Sequence, residues 1–267
     1  MFLHADYYSN CLRKFVSFSA VIPNDIPQAM KRLDAPTTDK FKALYLLHGY
    51  SGYCNDWLLG SRVQEYAMRH NMAVIMPSGD NSFYVDDQTG MKYGEFIGKE
   101  LVEYTRSFLP LSDKREDTLI GGFSMGGYGA IRNGLKYSDT FGSIIALSSA
   151  LIMDTLAETH GEMEGAPEGK AYYVSIFGDL DHLLGSENDP KALALNLKKS
   201  GKQMPRIYMA CGSEDFGIKN NRDYKDFLIA NQIDVTYEEG PGIHNWDFWN
   251  PHIERALNWY DGSEKQA

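Results

Sequence analysis

Three cysteines in 267 residues, Cys11, Cys54 and Cys211, are too few and too widely spaced for a disulfide framework or a Cys-x-x-Cys metal site. They read as free thiols in a reducing compartment, and the chain is expected to be cytoplasmic. Clustered lysine and arginine are missing too: the 26 basic residues form no run and the formal net charge is −10, which argues against a nucleic-acid partner. No apolar stretch approaches a membrane span. Met1-Phe-Leu-His-Ala-Asp-Tyr-Tyr turns polar after one apolar triplet, so it lacks the continuous core of a signal peptide. Internal repeats and low-complexity segments are absent. Asp179, Asp181, His182, Asn188 and Asp189 gather acidic and imidazole groups, but their spacing fits no calcium loop or zinc site, so neither metal nor cofactor is expected.

What is present is enough apolar material, 43% of the residues, for one sizeable core, and a single domain over residues 1–267 is expected. Alternation in Lys14-Phe-Val-Ser-Phe-Ser-Ala-Val-Ile predicts an antiparallel edge strand, followed by a polar turn from Asp34 to Asp39. Near-continuous apolar runs at Ala43–His48, Met72–Pro77 and Gly142–Ser148, with Arg206–Gly212 and Ile233–Glu238, predict strands of a sheet covered on both faces. Helices are expected at Asp56–His70, Tyr93–Leu109, Gly126–Lys136, Asp223–Asn231 and Trp246–Tyr260. The polar segment Ser78–Gly94 is long for a plain connection and is a candidate to line a site. Residues 150–203 break the rhythm and read as an inserted cap of short helices, too short and polar to hold a core of its own. The alternation implies an α/β fold with a mostly parallel, doubly wound sheet, whose sites form beyond the carboxyl ends of the strands.

One stretch organises the rest. Asp117-Thr-Leu-Ile-Gly-Gly-Phe-Ser-Met-Gly-Gly-Tyr-Gly-Ala-Ile-Arg132 runs from a short apolar strand through a glycine-lined corner into a helix. Gly122-x-Ser124-x-Gly126 is the pattern of a nucleophile elbow, in which a strained turn exposes the serine and the glycines let neighbouring backbone pass close by. The amide of Met125, at the helix N-terminus, is placed to stabilise negative charge.

An activated serine needs a base and the base an orienting acid, in the chain order serine, acid, histidine for this kind of sheet. Of seven histidines, His4, His48 and His70 precede the serine, His160 and His182 fall in the cap and His252 within the last helix. His244 is left, in a glycine-rich loop before that helix. Asp215, just after a buried strand, is the candidate acid, with Glu214 its nearest rival. The second oxyanion donor is expected from His48-Gly49-Tyr50, the amide of Tyr50 ahead of those of Gly49 and Ser51. Gly49, Tyr128 and Trp246, with Tyr50, Tyr53, Phe248 and Trp249, are candidates to wall a substrate pocket, although Trp249 could equally pack the last helix on the sheet.

Taken together, Leu46-Leu-His-Gly-Tyr-Ser-Gly-x-x-x-Asp56-Trp57, Gly122-Phe-Ser-Met-Gly-Gly-Tyr-Gly-Ala130, Phe177-Gly-Asp, Gly185-Ser-Glu-Asn-Asp189, Cys211-Gly-Ser-Glu-Asp-Phe216 and Gly242-Ile-His-Asn-Trp-x-Phe-Trp249 resemble the esterase D family, the bacterial tributyrin esterases in particular. The resemblance spans nearly the whole chain. It implies an α/β-hydrolase fold and a serine carboxylesterase acting on short acyl esters, acetyl to butyryl, with acetylated or feruloylated sugars within range. Ser124, Asp215 and His244 fall on the family's triad. S-formylglutathione hydrolases and mycolyltransferases belong to the same family, so a thioesterase or acyltransferase is the second reading; a carbohydrate-binding module on the same fold, without chemistry, is the third. The expected partner is a small-molecule ester, with no nucleic acid and no membrane, and with room for a homo-oligomer.

Overall fold

The computed structural model describes residues 1–25, 40–162 and 168–262. Eight strands form one sheet: β1 (Phe2–Ser9), β2 (Lys14–Val21), β3 (Lys42–Leu47), β4 (Met72–Pro77), β5 (Thr118–Phe123), β6 (Ser143–Leu147), β7 (Arg206–Gly212) and β8 (Thr236–Gly240). Their spatial order is β1-β2-β4-β3-β5-β6-β7-β8. The pairings β1 with β2 and β2 with β4 are antiparallel, and every pairing from β4 to β8 is parallel. This is the α/β-hydrolase architecture expected from the sequence.

Burial alternates along the strands as a two-faced sheet requires. Ala43, Tyr45 and Leu47 of β3 join the apolar cluster on one face, while Leu44 and Leu46 join the cluster on the other. The second cluster is closed by α1 (Asp56–Gly60), α2 (Val63–Arg69) and the long last helix, Trp246–Asp261, through Trp57, Tyr66, Phe248 and Ile253. The first is covered by α3 (Tyr93–Glu95), which continues through a π-helical turn, Phe96–Glu100, into α4 (Leu101–Phe108), and by α5 (Met125–Lys136), which packs on β5 and β6. Between β6 and β7 run α6 (Met153–Glu158), α7 (Lys170–Phe177) and α8 (Pro190–Ser200); α9 (Ile218–Ala230) follows β7, and the last helix is α10.

Several sequence expectations are corrected. The strand over Lys14–Val21 is not the edge, because β1 pairs along its whole length, Phe2 opposite Val21 to Ser9 opposite Lys14. The expected helix 56–70 is two short helices separated at Ser61 and Arg62. α9 begins at Ile218, five residues before the expected start, and β8 begins at Thr236 because Ile233 is still buried in the turn that closes α9. Within the expected cap, α8 packs on α5 and α9 and belongs to the helical layer. Leu156, Tyr173, Ile176 and Phe177 of α6 and α7 share the main cluster of the sheet. The turn expected over 34–39 lies outside the described residues.

Candidate active site

Ser124 sits between the end of β5 and the first residue of α5 with φ 55° and ψ −121°. A non-glycine residue avoids that region unless the surroundings hold it there, at a cost of about 1–3 kcal/mol. The hold comes from both sides: the Ser124 amide donates to Leu147 O (2.9 Å) and its carbonyl accepts from the Ala150 amide (2.9 Å). The elbow closes so tightly that a Cβ on Gly126 would lie 2.5 Å from His48 O, and one on Gly122 would lie 2.5 Å from the Gly126 backbone. Glycine is therefore required at both.

Asp215 and His244 are brought together by neighbouring strands. The loop after β7 is tied to the loop after β8 by Ser213 N–H to Gly240 O (2.8 Å) and Glu214 N–H to Gly242 O (3.1 Å). Across that junction His244 Nδ1 lies 2.8 Å from Asp215 Oδ2, with no exposed surface on the Asp215 side chain. Burial pushes the Asp215 carboxyl up, but hydrogen bonds with His244, the Gly217 amide and Ser148 outweigh it, and the group stays below its ordinary range. It is therefore an anion at neutral pH. A carboxylate there accepts the Nδ1 proton and leaves Nε2 as a free base. Glu214, the rival, points elsewhere: it accepts from the Gly242 amide at 2.6 Å and supports the histidine loop.

Among the described residues no hydrogen bond joins Ser124 Oγ to the His244 ring. Their connection runs through Trp249, which meets the His244 ring edge-on at 4.9 Å and stacks at 4.2 Å on Phe123, the neighbour of the serine.

The loop after β3, expected to supply an oxyanion donor, is equally ordered. His48 is buried; its Nδ1 donates to Gly49 O (2.7 Å) and its Nε2 accepts from the Gly79 amide (2.8 Å), which fixes the tautomer. Tyr84 donates to His48 O (2.9 Å) from below. In the turn that follows, the Ser51 amide is taken by Asn81 Oδ1 (2.7 Å) and the Gly52 amide by Gly49 O (3.1 Å). Among the described residues neither the Tyr50 amide nor the Gly49 amide has an acceptor, while that of Ser51 is taken. Met125 opens α5, where an N–H finds no partner within its own helix.

The pocket candidates divide. Trp246 is half-buried against Trp57 and Phe123, within reach of the site. Gly49 gives room to the Phe123 ring, which a Cβ would approach to 2.4 Å. Tyr128 is corrected: it is fully buried among Phe83 and Phe177, with its hydroxyl on Asn188 O (2.7 Å), so it anchors the segment before α8 and walls no open pocket. Phe248 and Trp249 are likewise core residues. Sequence reasoning overlooked Ser148 and Asn221, both buried beside Asp215. The doublet Ser148-Ser149 at the end of an otherwise apolar strand was the only available signal. Tyr50, by contrast, reaches the segment between β6 and β7, its hydroxyl bonded to Glu168, while Tyr172 of α7 packs edge-on against it at 6.1 Å.

His160 pairs with Asp181 and His182 with Asp179, all four exposed. Among the described residues no group of three or more His, Cys, Asp or Glu is placed to hold a metal ion, and no helix is long and apolar enough to cross a membrane.

The chain is similar to several known proteins. Residues 32–260 match the family model described as "Putative esterase". An acetyl esterase of Caldicellulosiruptor saccharolyticus is 48% identical over 258 residues, 96% of this chain and 97% of that one. Among solved structures, a fluorophosphonate-binding serine hydrolase of Staphylococcus aureus, with substrate bound, superposes with a TM-score of 0.85 at 31% identity, covering 97% of this chain and 98% of the other. The S-formylglutathione hydrolase of the same organism, as apoenzyme, gives 0.82 at 31% identity with the same coverage. The chain belongs to this esterase family of the α/β-hydrolase superfamily, and it is a carboxylic ester hydrolase.

Proposed function

We propose that the enzyme is a serine carboxylesterase that hydrolyses short-chain acyl esters, acetyl to butyryl, including acetylated or feruloylated sugars, within a single domain that carries a short cap. The observation that carries this reading is the buried Asp215–His244 pair at the sheet end where the strained Ser124 elbow emerges. Ser124 Oγ attacks the ester carbonyl as His244 Nε2 takes its proton, and Asp215 holds the Nδ1 proton and stabilises the imidazolium. The negative charge that develops on the carbonyl oxygen is met by the amides of Met125 and Tyr50. His244 then returns the proton to the leaving alcohol, and water, activated in the same way, releases the acid from the acyl-enzyme. The acetyl esterase relative supports the short acyl range.

Thioester hydrolysis or acyl transfer is the second reading, favoured by the S-formylglutathione hydrolase likeness and by 24% identity to a diacylglycerol acyltransferase/mycolyltransferase of Mycobacterium avium. One experiment decides among these. A panel of nitrophenyl, naphthyl, acetylated-sugar and feruloyl esters, with S-formylglutathione and a competing alcohol, is run on wild type and Ser124→Ala. The proposal expects ester turnover in the wild type alone and covalent labelling of Ser124 by a phosphonate. Labelling at another residue, or activity retained in Ser124→Ala, would overturn it.

A further inference from the structure

Among the described residues no large apolar side chain is more exposed than Phe216, at 83%, and it stands directly after Asp215. A phenyl ring left in water forgoes the 1.5–3 kcal/mol or so that burial would give it. Single apolar side chains on a surface are ordinary, but this ring is not isolated. Its centroid lies 4.3 Å from that of the His244 ring, with the two planes 36° apart. The other contacts of the imidazole are Asp215 Oδ2 on Nδ1 (2.8 Å) and Trp249 edge-on at 4.9 Å. Among the described residues no hydrogen bond is made to Nε2. Phe216 thus covers the imidazole that is to move the proton and turns its own far face to solvent.

The backbone under the ring is fixed on both sides. The Gly217 amide donates to Asp215 Oδ1 (2.7 Å) and the Ile218 amide to Asp215 O (3.1 Å). Asn221 of α9, fully buried, donates through Nδ2 to Gly217 O (2.9 Å) and to Ser149 O (2.9 Å), and so ties the loop to the β6 corner, Ser148-Ser149-Ala150. Ahead of the ring, the Glu214 amide donates to Gly242 O (3.1 Å) and the Glu214 carboxylate accepts from the Gly242 amide (2.6 Å), which holds the Phe216 loop beside the His244 loop. Ile243, the residue before His244, is 54% exposed and adds a second apolar side chain on that loop. The Gly242 amide, and then Ser213, keep the Glu214 carboxyl below its ordinary range, so this neighbour of the ring is an anion at neutral pH.

In the proposed reaction the leaving oxygen takes its proton from His244 Nε2 as its bond to the acyl carbon breaks. An oxygen within hydrogen-bond reach of Nε2 lies no more than about 8 Å from the centre of the Phe216 ring, which a ring borne by that oxygen can span. We propose that Phe216 is the platform of the leaving-group subsite: its exposed face takes the ring of a neutral alcohol whose flat apolar side lies close to the ester oxygen. The inference rests on the triad reading above and names the alcohol half of the substrate. Aryl and sugar rings share this chemistry, since both present an apolar face that packs on a phenyl ring. An anionic leaving group such as glutathione is disfavoured by the Glu214 carboxylate. The same surface receives an alcohol that replaces water: its hydroxyl gives a proton to Nε2, its oxygen bonds to the acyl carbon, and Ser124 Oγ leaves with that proton returned.

The test holds the acyl group constant and varies the alcohol. Ethyl acetate, benzyl acetate and an acetylated methyl xyloside pass through one acetyl-enzyme, so differences in kcat/KM among them report the leaving-group side alone. Phe216→Ala is expected to lower kcat/KM about tenfold for benzyl acetate and for the xyloside, and by less than about threefold for ethyl acetate, while Phe216→Tyr, which keeps the ring, stays within about twofold of wild type on all three. Capture of the acetyl-enzyme by benzyl alcohol, measured against water as benzyl acetate formed from nitrophenyl acetate, is expected to fall in the same proportion in Phe216→Ala, with capture by methanol falling far less. A loss on one ring class only supports the platform and assigns it to aryl or to sugar alcohols. An equal loss on all three esters would mean that the ring merely steadies His244, and no loss on any that it has no role; either result would overturn the proposal. If Ser124→Ala keeps the wild-type rate, the triad reading falls and this inference with it; if Ser124→Ala is inactive while Phe216→Ala shows no selectivity, only the platform is lost.

Discussion

His244 Nδ1 stands 2.8 Å from Asp215 Oδ2, while Glu214, one residue earlier, turns outward to hold the Gly242 amide at 2.6 Å. Adjacent carboxylates therefore serve the histidine loop in different ways, one on the ring and one on the backbone. Replacing a carboxylate by its amide removes charge and tautomer control at nearly constant volume. Asp215→Asn is expected to lose roughly 10²–10⁴ in kcat and Glu214→Gln less than about tenfold, as is Asp179→Asn at an exposed position. Steady-state kinetics on proteins with matched melting temperatures checks the order, and a crippled Glu214→Gln would reverse the assignment.

Strain at Ser124 makes a stability prediction that runs against activity. With φ 55° the residue gains from losing its Cβ, so Ser124→Gly is expected to be more stable than Ser124→Ala by about 1 kcal/mol, both being inactive. In a protein of this size that is about 2 °C in Tm. Gly126→Ala, with its Cβ aimed at His48 O, is expected to lose about 2 kcal/mol or more. Thermal denaturation of the three proteins distinguishes them.

The His48 ring supplies a pH dependence. Burial pushes its pKa below the ordinary histidine value, against the smaller pull of the Gly49 carbonyl. A histidine depressed on folding contributes stability that is present above its unfolded value of about 6.5 and is lost as pH falls through the folded value. Protonation would also cost the Nε2 acceptor that binds the Gly79 amide. Tm is therefore expected to fall as pH drops below about 6.5, and His48→Gln is expected to flatten that fall while lowering kcat through the loosened Tyr50 amide. A slope unchanged in His48→Gln would place the titration elsewhere, for instance on His252, which burial depresses in the same direction.

Acyl selectivity follows from the fixing of α7 to the oxyanion side. Glu168 bonds the Tyr50 hydroxyl, and Tyr172 bonds the Asn81 carbonyl while packing against the Tyr50 ring. Acetate to butyrate esters are expected to outpace octanoate esters by about tenfold, since excluding further methylenes by shape is worth on the order of 1–3 kcal/mol. A series of nitrophenyl esters measures it, and equal turnover of octanoate would speak against a closed pocket.

The elbow, the parallel strands and the Asp215 and His244 positions were legible in the chain because each rests on local pattern: glycines at fixed offsets, apolar runs, a loop residue just past a strand. Burial periodicity is weaker at the outer edge, and β1 went unseen although Leu3, Ala5 and Tyr7 alternate toward the core, because Phe2 and Tyr8 on the other face blur the period. The helix at 218 was misplaced for a similar reason, its first turn being polar with Asn221 turned inward to serve the β6 corner. Tyr128 looked like a pocket wall because it was placed with the aromatics at the sheet end of the serine; only packing shows that the ring points into the core.

By itself the sequence determined the order of elements, the strained serine corner and the chemical types available at the carboxyl end of the sheet, since backbone preference and burial period act over a few residues. Tertiary structure decided which carboxylate meets the imidazole, that the Ser51 and Gly52 amides of the turn are taken, and that Trp249 reaches Ser148 of the β6 corner. Those choices depend on distances of about 3 Å between segments up to 101 residues apart, as between Trp249 and Ser148, and no local pattern encodes them.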